Sequence, residues 1–397
     1  MLHNKQKHFK KVTMLRPTLK PTNINFSSGP CAKRPGWKLS NLKNSTLGRS
    51  HRSISSKNKL LKLIQLTKDI LEIPSDYEVG IVPGSDTGAV ELAIWNCVGA
   101  RDVDIYVWDS FGNDWANDLS VEMKISNLKI NKTNYGKLPD LSSVNFKNDI
   151  IFNWNGTTSG VCVPDSNWIS LNREGLTICD ATSAVFAMDL DWRKLDITTF
   201  SWQKCLGGEA AHGMLILSPK AIERINTYKP KRPIPKLFQI KKNDKINLDI
   251  FKGSTINTPS MLCVEDCLDS LSWALKIGGL RELISRSKKN LEIVSSWVNS
   301  KNWINFLSED VRNISSTSIC LKFVKENLKE KNDDYEKKLE NFIINFLENE
   351  RVANDIGSYR SAPSGLRMWG GPTVEKKDLE ILLPWIDYAY EKALTNL

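Results

Sequence analysis

Short apolar, β-branched runs alternate with helical patterns over the first two thirds of this chain. The predicted strands are Val79–Val82, Val103–Trp108, Asp149–Trp154, Leu176–Cys179, Ile197–Trp202 and Met214–Leu217. The predicted helices are Ser53–Glu72, a segment after Ser85, Asp114–Ser120 and Lys220–Thr227. Because parallel strands need long crossover connections, which are usually helical, this alternation predicts an α/β fold with a mostly parallel sheet covered on both faces.

The pattern changes after Gly278-Gly279, where the predicted elements become longer and more charged. They are a helix, a strand and two further helices, over Leu280–Val298, Ser316–Val324, Asp334–Asn349 and Glu375–Leu394. The chain has 397 residues, whereas a single core stops growing near ~250–300 residues. We therefore expect a large α/β domain over residues 21–280 and a smaller C-terminal α+β domain over residues 281–397. Residues 1–20 are basic without acids and are predicted to be a flexible arm.

Composition excludes several classes of protein. With 41% hydrophobic and 25% charged residues, the chain is not disordered as a whole. No apolar run reaches the ~18–20 residues that span a bilayer, and the basic N-terminus lacks the apolar region of a secretory signal. The eight cysteines are dispersed without a CxxC pair, which favours a reduced, cytoplasmic protein. Cys263 and Cys267 have helical spacing and no second Cys or His pair nearby, so we predict no metal site.

The net charge of +10 has two interpretations. A nucleic-acid-binding protein would carry a basic stripe with interleaved aromatic residues, and no such stripe is visible. Part of the charge lies in the first twenty residues, and much of the rest is lysine spread over the predicted helices. The charge therefore favours a basic surface that attracts small anionic substrates.

The residues after the predicted strands are candidate ligand-binding residues, because open α/β sheets bind ligands beyond the carboxyl ends of their strands. After the first strand, the run Ser85-Asp86-Thr87 opens a helix between two glycines, and free N–H groups there make an anion-binding cup. After the second and third strands come Trp115 and Thr157. Taken alone, these features are also explained by a helix cap, a core aromatic and a polar loop.

Asp180 and Lys204 end the next two strands. A carboxylate at the end of an apolar strand is costly unless a positive group meets it. One cofactor needs an anion cup, a lysine and a carboxylate together, namely pyridoxal 5′-phosphate (PLP). Its phosphate needs helix N–H groups, its aldehyde a lysine for a Schiff base, and its ring nitrogen a carboxylate. The sequence therefore predicts a PLP site, with Trp115 stacked on the ring.

At these residues the chain resembles the phosphoserine aminotransferase family, which consists of class V aminotransferases with PLP fold type I. The resemblance extends from about Asn25 to about Asn396. The matching motifs, in the family's order, are Asn25–Pro30, Ser50–Ser53, Asp180–Ser183, Gln203-Lys204, Asn257–Pro259 and Gly365–Arg367.

The resemblance implies a role for each matching residue around the cofactor ring. Lys204 would carry the Schiff base and then move a proton between the substrate Cα and the cofactor. Asp180 would pair with the ring nitrogen, and Trp115 would stack on the ring. Thr157 would hydrogen-bond on the 3′-oxygen side, and Gln203 would support the phosphate end.

The phosphate site departs from the family pattern at one position. The resemblance implies that Ser85, Asp86 and Thr87 line the cup, but a bacterial branch of the family has glycine and arginine near this point. An acid suits a phosphate cup only if its backbone N–H is the donor and its carboxylate points elsewhere.

The resemblance also implies a homodimer. Asn257 and Thr258 would reach the phosphate across a homodimer interface, so that two subunits share each active site.

Substrate-binding roles are implied for three further residues. Arg367 would hold the substrate α-carboxylate as a bidentate fork, although Arg360 lies in the same predicted loop and is the alternative. His51 and Arg52 would bind the substrate phosphate or the distal carboxylate of glutamate. The pair Lys33-Arg34 is a further hypothetical source of positive charge near that phosphate.

The function implied is amino-group transfer between O-phospho-L-serine and 2-oxoglutarate in L-serine biosynthesis. A second candidate substrate is 4-phosphooxy-L-threonine, in pyridoxal phosphate biosynthesis. One alternative is another class V enzyme, a serine–glyoxylate aminotransferase or a cysteine desulfurase. A desulfurase needs a reactive cysteine on a mobile loop, and Cys320 lies in a predicted strand instead. The alternative from a different class is a basic nucleic-acid-binding protein on an inactive enzyme scaffold.

Overall fold

The structure is a computed structural model that describes residues 14–43, 45–324 and 333–397. Its strands are β1 (Glu78–Pro83), β2 (Val103–Val107), β3 (Leu128–Lys132), β4 (Asp149–Asn153), β5 (Asn155–Gly156), β6 (Val161–Cys162), β7 (Thr177–Asp180), β8 (Ile197–Ser201), β9 (His212–Leu217), β10 (Lys241–Lys242), β11 (Lys245–Ile246), β12 (Ile304–Phe306), β13 (Ser318–Phe323) and β14 (Gly365–Trp369). Its α-helices are α1 (Ile54–Leu71), α2 (Ser85–Cys97), α3 (Ser110–Asn117), α4 (Pro219–Thr227), α5 (Met261–Lys276), α6 (Gly279–Asn299), α7 (Asp333–Asn349) and α8 (Lys376–Asn396).

Seven strands form the large sheet, in the order β1-β9-β8-β7-β4-β2-β3. All neighbours run parallel except β9, which is antiparallel to both β1 and β8. Every residue of β2, β4, β7 and β8 is buried, as expected of strands covered on both faces. The predicted α/β fold is confirmed. Because β4, β7 and β8 are parallel neighbours, their carboxyl ends lie at one edge of the sheet.

Helix α3 begins four residues earlier than the prediction of Asp114. Asp109 ends the segment after β2, and its Oδ1 accepts a hydrogen bond from the Gly112 N–H at 2.9 Å. This is an N-cap, which satisfies one of the amide groups that a first helical turn leaves without a partner. The cap places Trp115 in the second turn of α3, where its side chain is buried.

A second, antiparallel sheet has the order β12-β13-β14 and lies in the C-terminal part of the chain. Only β13 was predicted there. Arg367 was expected in a loop, and this was wrong, because it lies on β14 directly opposite Cys320 of β13. The run Gly365–Trp369 becomes a strand through its pairing with β13, a contact that sequence periodicity does not report.

The N-terminal segment lies against the C-terminal helices. Within the predicted arm, residues 1–13 lie outside the described residues, whereas Arg16 pairs with Glu350 at 2.5 Å. The Trp385 indole of α8 donates to the Leu19 carbonyl at 2.7 Å. The three-part division of the chain stays a prediction.

Among the described residues, none of the helices combines the length and apolar character that crossing a membrane requires.

Candidate active site

The carboxyl ends of β4 and β7 place Asn153 and Asp180 side by side in register. Asp180 Oδ2 accepts hydrogen bonds from Asn153 Nδ2 at 3.1 Å and from the Trp115 indole at 3.2 Å. Asp180 Oδ1 accepts a third, from the Thr182 N–H at 3.1 Å. These three donors satisfy the oxygens of a buried carboxyl group and fix its position at the edge of the sheet.

Lys204 follows β8 and is buried at the other side of the same space. Its amino group donates a hydrogen bond to the Ser28 carbonyl. Burial lowers the pKa of the Lys204 ammonium, and the positive charge of Arg367 acts in the same direction. A lowered pKa increases the fraction of neutral amine, which is the nucleophilic form.

Lys204 and Asp180 line one cavity of about 260 Å³. Its other lining residues are Gly29, Pro30, Ser85, Asp86, Thr87, Phe111, Trp115, Thr182, Gln203, Glu209 and Ala210. The structure therefore brings together ten residues that the sequence analysis singled out: Ser85, Asp86, Thr87, Trp115, Asp180, Gln203, Lys204, Gly29 and Pro30 of the Asn25–Pro30 motif, and Thr182 of the Asp180–Ser183 motif.

The start of α2 forms the anion cup at one end of this cavity. Gly84 and Ser85 both have left-handed backbone conformations, with φ of 83° and 56°, and Ser85 adopts this conformation without being glycine. Gly88 donates the first hydrogen bond of the helix, so the amide groups before it have no acceptor one turn earlier. Gly213 of β9 permits this approach, because a Cβ there would lie 2.2 Å from the Ser85 carbonyl oxygen.

Asp86 contributes only its backbone to the cup. Its carboxyl is buried and faces Asp180. Burial raises the pKa of Asp86 well above its ordinary value, and the negative charge of Asp180 acts in the same direction. An acid is compatible with a phosphate site only if its carboxylate points elsewhere, and the Asp86 carboxyl does so.

Gly29 sets the position of the Lys204 amine. A Cβ at Gly29 would lie 2.4 Å from Lys204 Nζ, too close for both to keep their places. We expect Gly29→Ala to fold as wild type does but to displace the amine, lowering turnover by roughly 10²-fold, since misplacement by about 1 Å costs that much. Thermal unfolding and steady-state turnover measure the two effects. Wild-type turnover in a folded Gly29→Ala protein would show that the amine position is not constrained here.

Arg367 is half-buried on β14, and its Nε is buried with no hydrogen-bond partner among the described residues. Its guanidinium lies 5.5 Å from the centre of the Tyr359 ring, and that of Arg360 lies 5.7 Å from it. Tyr359 in turn contacts Phe111 of the cavity lining, with ring centroids 5.8 Å apart. Arg360 is exposed and lines a neighbouring cavity of about 630 Å³.

Six predicted site residues do not line the 260 Å³ cavity of their own chain, namely Arg367 and five others. Thr157 is buried and donates to the Ser183 hydroxyl at 2.8 Å. His51 and Arg52 lie in the turn before α1, half-buried and exposed respectively. Asn257 and Thr258 are exposed. Their predicted roles stay predictions.

The charges of Lys33 and Arg34 are already paired. Lys33 contacts Asp266 at 2.8 Å and Glu209 at 2.7 Å, and Arg34 forms a two-pronged pair with Asp269 at 2.7 and 2.8 Å. The hypothesis that they add charge near a substrate phosphate has no support in these contacts.

Sequence reasoning assigned no role to several residues of the site, among them Asn153 and Phe111. Asn153 had a signal, because it lies near the end of the predicted strand Asp149–Trp154, and the observed strand β4 ends at Asn153, beside Asp180 of β7. Phe111 had no such signal, since α3 was predicted to begin after it.

Cys263 and Cys267 lie on α5, as helix residues. The described residues contain no group of three His, Cys, Asp or Glu side chains that could hold a metal ion.

The residues present fit PLP. Arg367 Nε is a polar atom buried without a hydrogen-bond partner in the described structure, and the first amides of α2 have no acceptor within their own helix. Lys204, Asp180 and the cup supply an amine, a carboxylate and N–H donors around one cavity. When bound, PLP supplies an aldehyde that reacts with amines and a ring that withdraws electrons.

Comparison with solved structures identifies the fold. The phosphoserine aminotransferase of Cytophaga hutchinsonii superposes with a TM-score of 0.78 at 23% identity, covering 92% of this chain and 98% of that one. PLP-bound phosphoserine aminotransferase from Trichomonas vaginalis superposes with a TM-score of 0.70 at 15% identity, covering 91% and 99%. The fold is that of the class V PLP-dependent aminotransferases.

Comparison of sequences is more specific. No model of a known protein family matches the chain. The phosphoserine aminotransferase of Methanosarcina mazei, however, is 54% identical over 377 residues, which cover 95% of this chain and 99% of that protein. The chain therefore belongs to the phosphoserine aminotransferase family, whose members are PLP-dependent transferases. The predicted family, enzyme class and cofactor are confirmed.

Proposed function

We propose that this enzyme transfers the amino group of O-phospho-L-serine to 2-oxoglutarate, forming 3-phosphooxypyruvate and L-glutamate, in L-serine biosynthesis. The observation that carries the proposal is the placement of the buried Lys204 amine and the Asp180 carboxylate around one cavity. The near full-length similarity to a phosphoserine aminotransferase supports this choice of substrate.

Each residue has a defined task in this proposal. Lys204 would form the covalent bond to the cofactor, and its freed amine would then take the proton from the substrate Cα. Asp180 would hold the ring nitrogen, the first turn of α2 would donate to the cofactor phosphate, and Trp115 would cover the ring. Arg367 would bind the α-carboxylate through two parallel N–H groups.

The site would operate as a homodimer in the cytoplasm. Asn257 and Thr258 are exposed and lie outside the cavity lining of their own chain, as expected of residues that serve a second subunit. Large apolar side chains elsewhere in the chain are also exposed, including Ile54 and Leu39. Light scattering of the purified enzyme checks this, because a fully active monomer is incompatible with a shared site.

Turnover assays with the purified enzyme test the substrate. We expect kcat/KM for phosphoserine to exceed that for L-serine by roughly 10²-fold or more, because unsatisfied charged partners in the site penalise the substrate without a phosphate. 4-Phosphooxy-L-threonine, the second proposed substrate, is tested alongside it. Faster transfer from serine to glyoxylate than from phosphoserine to 2-oxoglutarate would assign the chain to a different class V reaction.

Neither a cysteine desulfurase nor a nucleic-acid-binding protein on an inactive scaffold finds support in the structure. Cys320 lies on β13, and burial raises the pKa of its thiol to about 12, whereas a desulfurase needs a reactive, exposed thiolate. Lys204 and Asp180 are retained and face one cavity, which an inactive scaffold would not need.

A further inference from the structure

The Asp86 carboxyl is the one buried acid of the cavity lining that the proposed reaction does not use. Only 6% of Asp86 is exposed, and its Oδ1 has no hydrogen-bond partner among the described residues. The carboxyl turns from the first turn of α2 toward the sheet, where it faces Asp180 of β7 and Thr199 of β8. Thr199 lies directly opposite Asp180 in the register of these strands, and its hydroxyl is likewise buried without a partner in the described structure.

Asp180 cannot neutralise Asp86 by donating a hydrogen bond, because three donors already hold it as an acceptor. Those donors are Asn153, Trp115 and Thr182. Two ionised carboxylates at this depth would repel each other strongly, since burial removes the screening of water. One proton relieves the repulsion, and Asp86 is the member of the pair that has no comparable set of donors to stabilise an anion.

The other polar and charged groups around Asp86 and Asp180 do not change which of the two carboxyls keeps the proton. The Thr199 hydroxyl and the Lys204 ammonium favour ionisation of Asp86, but the effect of each is smaller than those of burial and of Asp180. Asp109, at the cap of α3, adds negative charge near Asp180, and burial raises the pKa of Asp109 to about 6. Acids thus outnumber bases at this end of the cavity.

We propose that Asp86 is a positioning residue that keeps a proton and donates it in a hydrogen bond to Asp180, so that the two carboxyls hold the ring end of the cofactor as one unit with a single negative charge. The cofactor part of this inference rests on the proposed function, whereas the proton itself is a property of the protein alone. The presence of an aspartate in the phosphate cup is then explained by its hydrogen bond to Asp180 and not by a contact with the phosphate.

Infrared spectroscopy of the full-length protein without added cofactor detects the proton directly. A protonated carboxyl has a carbonyl-stretch band that an ionised one lacks. We expect wild type to show this band at pH 7 and Asp86→Asn to lose it. Asp109→Asn is the matched control, because the buried Asp109 carboxylate accepts hydrogen bonds from the Gly112 and Thr158 N–H groups, which favour its ionised form, so its removal keeps the band. A band that survives in Asp86→Asn, or is missing from wild type, overturns the inference.

The pH dependence of stability gives a second, independent readout. Because the folded-state pKa of Asp86 is raised, the native protein keeps a proton that the unfolded chain releases above pH ~4. Wild type therefore loses stability as the pH rises from about 4 toward the folded-state pKa, and Asp86→Asn does not. We expect the urea midpoints of the two proteins to diverge progressively from pH 4 to pH 7, with the variant higher. Parallel midpoints would contradict the inference.

Cofactor binding distinguishes positioning from simple packing. Asp86→Asn keeps a donor for Asp180 and should bind PLP about as tightly as wild type. Asp86→Leu has a similar volume but no donor, and we expect its dissociation constant for PLP to rise roughly tenfold. Equal losses in both variants would show that the negative charge of Asp86, not its proton, is what the site uses. None of these readouts requires phosphoserine turnover, so failure of the substrate assignment would leave them interpretable.

Discussion

Replacing Lys204 with alanine is expected to remove the absorbance band of the Schiff base between lysine and cofactor and to lower turnover by at least roughly 10²–10⁴-fold. This range covers only the proton transfer that the amine would perform, and the loss of the covalent bond to the cofactor adds to it. The variant should fold, because it removes a buried amine whose hydrogen bond is to the Ser28 carbonyl. Absorption spectra and steady-state rates of the purified protein provide the measurement.

Lys220 is the matched control for this substitution. It is half-buried, and its amino group donates to the carbonyls of Arg173 and Gly175, each at 2.7 Å. These carbonyls precede β7, so Lys220 lies at the amino end of the sheet, away from the cavity. Lys220→Ala should keep both absorbance and turnover. If the Lys204→Ala protein stayed yellow because the cofactor bonds to another amine, Lys204 would not be the residue that the proposed mechanism requires.

Replacing Arg367 with lysine is expected to lower kcat/KM by roughly 10–100-fold. A guanidinium donates two parallel hydrogen bonds to a carboxylate, and an ammonium at the same place keeps the charge but loses the fork. Hydrogen bonds to charged groups contribute about 1.5–3 kcal/mol each. Because phosphoserine and glutamate share the same α-carboxylate, both half-reactions should lose the same factor.

Arg360→Lys separates the two candidates for this clamp. Arg360 is exposed in the loop before β14, whereas Arg367 has a buried Nε without a partner in the described structure. We expect Arg360→Lys either to leave the rates intact or to change only the ratio between the two substrates, without lowering both half-reactions equally. An equal loss in Arg360→Lys, combined with normal rates in Arg367→Lys, would exchange the two assignments.

The fold was predictable because its central strands are buried on both faces. Such strands are continuous apolar runs, and six of the seven in the large sheet were recognised. The seventh, β3, contains exposed residues such as Lys129 and Lys132 at the edge of the sheet, so it lacks that signal. The short pairs β5-β6 and β10-β11 and the strands β12 and β14 exist through pairing with partners, which periodicity does not encode.

The chemistry of the site was predictable for a related reason. In a parallel sheet the ends of neighbouring strands meet at one edge, so Asp180 and Lys204 could be assigned to one ligand from their positions in the sequence. Contacts such as those of Lys33 and Arg34 with the acids of α5 were not predictable in this way. Those acids lie far along the chain, and only the packing of α5 brings them near.

The sequence alone therefore determined which chemical groups lie at the sheet edge. The pattern of apolar residues that marks each strand, and the residues that follow that strand along the chain, are local properties of the sequence. The tertiary structure decided where those groups point. It turned the Asp86 carboxyl away from the phosphate cup and toward Asp180, and it placed Arg367 on a strand beside Tyr359. Orientations of this kind depend on close packing between residues distant in sequence, where burial and charge act through space and not along the chain.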